Sequence, residues 1–84
     1  MSASVTVLTF AGARDVVGAS SLEVELPASP CTARQLMDAI CGLYPALTPH
    51  RPQIKLAVNG EYADAEAPVE AGDEVALIPP VAGG

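Results

Sequence analysis

Residues 31–45, CTARQLMDAICGLYP, hold the one strong helix signal in the sequence, and it limits the possible folds more than any other feature. Thr32 and Gln35 have the T-x-x-Q spacing of a capping box, in which the threonine hydroxyl accepts from the N3 amide and the glutamine side chain reaches back to the N-cap amide. Cys31 and Leu36 occupy the N′ and N4 positions of a hydrophobic staple. Leu36, Ile40 and Leu43 recur at i, i+4 and i+7, and Ala33, Met37 and Tyr44 widen the stripe. Arg34 and Asp38 lie on the other side. Pro45 cannot continue a helix, so the pattern predicts an end near Tyr44. The chain has 84 residues, enough for one domain over 1–84, so the rest of the sequence must supply the layer on which this helix packs.

That layer reads as strands. In SVTVLTF, residues 4–10, Val5 and Val7 point one way and Leu8 and Phe10 the other, the mark of a central strand with apolar groups on both faces. AGARDVVGAS is a small-residue connection with room for a helical turn. SLEVEL alternates, with Leu22, Val24 and Leu26 inward and Glu23 and Glu25 outward, and suits a strand antiparallel to the first. TPHRPQ is a loop. IKLAV turns Ile54, Leu56 and Val58 inward, and Asn59-Gly60 is a two-residue hairpin turn whose short return covers residues 61–63. Residues 64–73 are a polar connection with a turn at Ala71-Gly72-Asp73. EVALI, residues 74–78, is the last strand, and Pro79 stops its ladder because proline has no amide donor.

The order is strand, strand, helix, strand, short strand, strand. SVTVLTF and EVALI are the most two-sided strands and belong side by side in the sheet centre, and a helical crossover between parallel strands is right-handed. The expected architecture is α+β, a ubiquitin-like β-grasp. A mixed sheet of four to five strands packs on one main helix, and a C-terminal Gly-Gly tail extends from it.

Composition narrows the function. Half the residues are hydrophobic, yet there is no Trp, one Phe and two Tyr, so the core is aliphatic and leaves little room for a deep catalytic cavity. The net charge is −6, and Arg14, Arg34, Arg51 and Lys55 are the only cationic side chains. Phosphate binding needs clustered Lys and Arg, so neither nucleic acid nor an anionic membrane is expected as a partner. A basic protein partner suits the charge, although acidity also simply keeps a small protein soluble. Cys31 and Cys41 match no zinc or CxxC spacing. On one helix they would be about 15 Å apart, beyond disulfide reach. They read as small hydrophobes of a reducing compartment. No secretion signal or membrane-spanning stretch is present, so a cytoplasmic location is expected. His50 is the only histidine and sits in a loop, and the glycine-containing stretches match neither a Walker loop nor GxGxxG. The sequence therefore predicts no enzyme in its own right and no metal site.

The tail differs. Pro79 and Pro80 fix φ and favour extended backbone, so the end should project. Val81 and Ala82 lead to Gly83 and Gly84, a segment slim enough to thread a narrow channel. A carboxylate is a poor acyl group, but joined to AMP it is a mixed anhydride open to a sulfur or nitrogen nucleophile. Gly84 would offer no side chain to hinder that attack. Terminal glycines are commonly just frayed. Placed a few residues beyond the last strand of a β-grasp, after a proline pair, they read instead as a chemical handle that partner proteins activate.

TFAGARDVVG (9–18), IKLAVNGEY (54–62) and above all GDEVALIPPVAGG (72–84) resemble the molybdopterin synthase small-subunit family, the ubiquitin-like sulfur carriers of molybdenum cofactor biosynthesis. The resemblance runs from the first strand to the last residue. It implies that an E1-like enzyme uses ATP to adenylate Gly84 and that a sulfur donor converts it to a thiocarboxylate. The large synthase subunit then transfers this sulfur to cyclic pyranopterin monophosphate. Two sulfurs per pterin imply a heterotetramer of two small and two large subunits. By motif, Gly84 carries the sulfur, and Pro80, Val81, Ala82 and Gly83 form the inserted arm. No cofactor is bound permanently. Phe10, Arg14 and the exposed side of the central strands are the candidate docking surface, with core packing equally open for Phe10. Related carriers for thiamine thiazole, tRNA thiolation or lysine conjugation share the same Gly-Gly chemistry. A plain ubiquitin-like interaction module with an inert tail is the remaining alternative.

Overall fold

The structure is a computed structural model that describes residues 3–78. In chain order the elements are β1 (Ser4–Thr9), α1 (Ala11–Val17), β2 (Ser21–Glu25), β3 (Cys31–Thr32), α2 (Ala33–Leu43), a 3₁₀ segment (Pro45–Gln53), β4 (Lys55–Val58), β5 (Glu61–Tyr62), β6 (Pro68–Val69) and β7 (Glu74–Ile78). The expected sheet and main helix are both present. The main sheet has five strands in the order β2-β1-β7-β4-β5. β1 and β7 are parallel and central, with Val7 opposite Val75 and Leu8 opposite Ala76, while β2, β4 and β5 join antiparallel.

The helix forms where its caps require. Thr32 Oγ1 accepts from the Gln35 amide at 3.1 Å and the Thr32 amide donates to Gln35 Oε1 at 2.9 Å, so the capping box is complete. The staple residues Cys31 and Leu36 are both buried. The helix ends at Leu43, with Tyr44 as its cap ahead of Pro45. Leu36 and Ile40 are fully buried against Val5, Val7, Val24, Val75 and Leu77 in one aliphatic core. Each such side chain contributes roughly 1.5–3 kcal/mol by leaving water. Thr9 also points inward. Its hydroxyl donates to the Ala19 carbonyl and its amide to the Ser20 carbonyl, so its polar atoms are satisfied.

Three segments differ from the sequence expectation. The connection after β1 is a seven-residue helix, α1, ended by Gly18 at φ 85°, a left-handed conformation that suits glycine. TPHRPQ is no plain loop but lies within the 3₁₀ segment, where the fully buried Leu47 plugs the core below α2. The polar connection 64–73 contains β6, which pairs with β3 in a separate two-stranded sheet. That ladder is two residues long on each side, too short to leave a periodic pattern. Cys31 and Cys41 are buried free thiols, and burial pushes the Cys31 thiol up against a smaller lowering by a backbone hydrogen bond at Ala28.

Candidate functional site

The strand pleat separates the sheet into two chemically distinct faces. Val7, Val75 and Leu77 face α2 and the core, so Leu8 and Ala76 face away from it. Ala76 is opposite Ala57 on β4, and Ala57 is opposite Tyr62 on β5. The outer face therefore carries an apolar row, Leu8–Ala76–Ala57–Tyr62, running straight across four strands. Tyr62 is 72% exposed, Leu8 and Ala76 are half-buried, and Ala57 is buried among its neighbours. Exposed glutamates flank the row, Glu23 and Glu25 on β2 and Glu74 at the start of β7, with Lys55 at the other end of β4. Apolar area beside acidic side chains is a combination that can serve protein docking, apolar area through affinity and charge through steering.

Phe10 lies at the end of this face. It follows Thr9, which pairs with Leu77, just as Ile78 follows Leu77. It is the N-cap residue of α1 and is 49% exposed, so it is not a core residue. Its carbonyl accepts from the amides of Ala13 at 3.1 Å and Arg14 at 3.3 Å, which anchors the start of α1. Arg14 is exposed on that helix, a turn beyond Phe10. The two candidate docking residues named from the sequence are thus both at the surface, close along the chain. The tail residues Pro80, Val81, Ala82, Gly83 and Gly84 lie outside the described residues. The last described residue, Ile78, is half-buried at the end of β7, between β1 and β4 in the sheet centre.

Tyr62 is the member of this surface that sequence reasoning missed. The signal was available, because a two-residue Asn59-Gly60 turn pairs Val58 with Glu61 and Ala57 with Tyr62 and so puts Tyr62 on the face of Ala57. No group of three metal-ligating side chains comes together among the described residues. His50 is an exposed residue of the 3₁₀ segment. No helix among the described residues is long and apolar enough to cross a membrane.

A five-stranded mixed sheet with parallel central strands on one main helix is the ubiquitin-like β-grasp. Comparison with known proteins makes the assignment specific. The model of the ThiS family matches residues 7–84, and the chain belongs to that family. It is 37% identical over 83 residues to the molybdopterin synthase sulfur carrier subunit of Arabidopsis thaliana, covering 99% of this chain and 85% of the relative. It is 34% identical over 83 residues to small archaeal modifier protein 1 of Haloferax volcanii, covering 89% of this chain and 94% of the relative. The crystal structure of SAMP1 from Haloferax volcanii superposes with a TM-score of 0.82 at 32% identity, covering 96% of this chain and 99% of that one.

Proposed function

We propose that the chain is the sulfur carrier subunit of a molybdopterin synthase, and that Gly84 is the atom-carrying residue. The observation that carries this reading is full-length similarity to a protein named as such a subunit, together with the closing GDEVALIPPVAGG segment. An E1-like partner transfers AMP from ATP to the Gly84 carboxylate and releases pyrophosphate. Hydrosulfide from the sulfur source displaces AMP, and the product is a terminal thiocarboxylate. The arm of Pro80, Val81, Ala82 and Gly83 carries it into the large subunit, where the sulfur passes to cyclic pyranopterin monophosphate and water supplies the oxygen that returns Gly84 to a carboxylate.

The described geometry supports the division of labour. β7 is the strand from which residues 79–84 continue, and it is held on both edges, by β1 and β4. Its outer side belongs to the apolar row. A partner seated on that row, with Phe10 at its end and Arg14 nearby, would receive the arm beside it. On this reading the small subunit supplies the acyl group and its presentation, ATP is consumed by the activating partner, and two copies serve two large subunits in a heterotetramer.

The test is intact mass after co-expression with an activating enzyme of the family and its sulfur source. The expected product has one oxygen replaced by sulfur. An unchanged mass, where an established carrier is converted, overturns the reading. The likeness to small archaeal modifier protein 1 supports a second reading, in which the same activated glycine is joined to lysine amines of other proteins. Pterin conversion by the thiocarboxylated chain with the large subunit separates the two.

A further inference from the structure

Two of the segments that carry the family resemblance, IKLAVNGEY and GDEVALIPPVAGG, are bonded to each other through side chains. Asn59 Nδ2 donates to Asp73 Oδ1 at 3.1 Å, the Glu74 amide donates to Asn59 Oδ1 at 3.0 Å, and the Asn59 amide donates to the Glu74 carbonyl at 2.7 Å. The second carboxylate oxygen of Asp73 accepts from the Glu70 amide at 2.9 Å, and the Gly72 amide donates to the Ser4 carbonyl at 3.1 Å. The start of β7 is therefore tied to the β4–β5 hairpin on one side and to β1 on the other. Asn59 is suited to this place. At φ 52° it is the one non-glycine residue with left-handed backbone among the described residues, a conformation asparagine tolerates, and its carboxamide offers a donor and an acceptor at once.

Burial of Val75 and Leu77 decides which side of β7 faces α2 and rules out a slip of two residues, which would carry Asp73 or Pro79 into a core position. Aliphatic packing is non-directional and leaves smaller shifts along the strand less opposed. The Asn59 bonds oppose such shifts, because hydrogen bonds weaken steeply off their preferred geometry and these address Asp73 and Glu74 individually.

We propose that Asn59 is a positioning residue for sulfur delivery: acting through Asp73 and Glu74, it sets the axial placement of β7 and hence where the arm of residues 79–84 starts relative to the docking face. This role rests on the carrier function proposed above. Reacting groups tolerate little displacement, and about 1 Å of misplacement can cost on the order of a hundredfold in rate.

The experiment compares the wild-type chain, Asn59→Asp, and the exchange variant Asn59→Asp with Asp73→Asn, each as full chain. The single substitution sets two carboxylates against each other. The exchange reverses the side-chain bond between positions 59 and 73 and keeps the other two, because each new side chain still offers an oxygen to the Glu74 and Glu70 amides. Single-turnover sulfur transfer from the thiocarboxylated chain to the pterin in the large subunit is measured against large-subunit concentration, with amide hydrogen exchange of Val75 to Ile78 alongside, at a temperature where all variants are folded. Asn59→Asp should lower the maximal rate at least about tenfold with the half-saturating concentration unchanged, and β7 amides should exchange faster. The exchange variant should restore both. A wild-type rate in Asn59→Asp, a loss that lies wholly in the half-saturating concentration, or no recovery in the exchange variant overturns the proposal. If Asn59→Asp does not fold, Asn59→Gly keeps the left-handed turn, removes only the carboxamide, and is held to the same outcomes. A wild-type chain that transfers no sulfur overturns the carrier function, and this role with it, a result the wild-type control tells apart from the others.

Discussion

Leu8 and Ala76 are register partners in the parallel β1–β7 ladder, and both face away from α2. Their pairing puts the apolar row at the middle of the outer face, with Ala57 and Tyr62 continuing it. Ala76→Asp would set an unpaired carboxylate where a partner excludes water, at a cost of at least about 2 kcal/mol. That corresponds to roughly thirtyfold weaker association with the large subunit. Isothermal calorimetry on the purified pair checks it, with circular dichroism as the control for folding. An unchanged dissociation constant would move the docking surface elsewhere.

Asp73 gives the fold an acid-sensitive contact. A hydrogen bond from the Glu70 amide, and then one from the Asn59 side chain, hold its carboxyl below the ordinary aspartate value. The folded state thus favours the ionised form. The stabilisation is complete above the unfolded-state value of about 3.9 and disappears as pH falls through the lower folded-state value. Asp73→Asn should therefore flatten the acid end of a stability-versus-pH curve and narrow its distance from wild type as pH drops. Urea melts between neutral pH and pH 3 measure this, and parallel curves would show that Asp73 does not couple to folding.

The capping box at the start of α2 uses the Thr32 side chain, while the β3–β6 ladder at the same place uses backbone, so its contribution should be separable. Thr32→Ala removes the acceptor of the Gln35 amide and should cost about 1 kcal/mol. In a domain of this size that lowers the melting temperature by roughly 4–8 °C. Thr32→Ser keeps the hydroxyl and should recover most of the loss. Equal destabilisation by both substitutions would assign the effect to the threonine methyl group and not to the cap.

What could be read from the sequence follows from the range of each interaction. The capping box, the Asn59-Gly60 turn and the alternation in SLEVEL depend on residues within a few positions of one another, and each forms as expected. The central pairing of β1 with β7 joins opposite ends of the chain. It was still legible because those are the two most two-sided apolar strands. The β3–β6 ladder and the plug of Leu47 left no trace, since two-residue strands have no period and Leu47 stands among prolines and polar residues. α1 lay between these cases: Ala13 is buried and Val17 packs on the core at i, i+4, with Gly18 as a stop, but its small residues read equally well as a connection. Of the candidate site, the position of Phe10 was visible and its exposure was not. The same aromatic on a two-sided strand fits a core as well as a surface.

The final glycine separates chemistry from folding. Among the described residues every buried member of the core lies between Val5 and Leu77, and the last ladder pair joins Ile78 to Lys55. Removing Gly84 therefore deletes no buried residue of the described core and no pairing of the described sheet. The shortened chain should melt within about 0.5 kcal/mol of wild type, the usual range for substitutions away from packed features. It should still bind the large subunit through the outer face. Yet its new terminus, Gly83, falls short by one residue, roughly 3.5 Å of extended chain, of where sulfur must be delivered. Sulfur transfer should fall by two orders of magnitude or more, because an acyl end outside bonding distance forfeits the advantage of proximity. Thermal melts, binding and pterin conversion on the same preparation distinguish the outcomes. Loss of the fold would make the tail structural, and retained conversion would mean that Gly84 does not carry the sulfur.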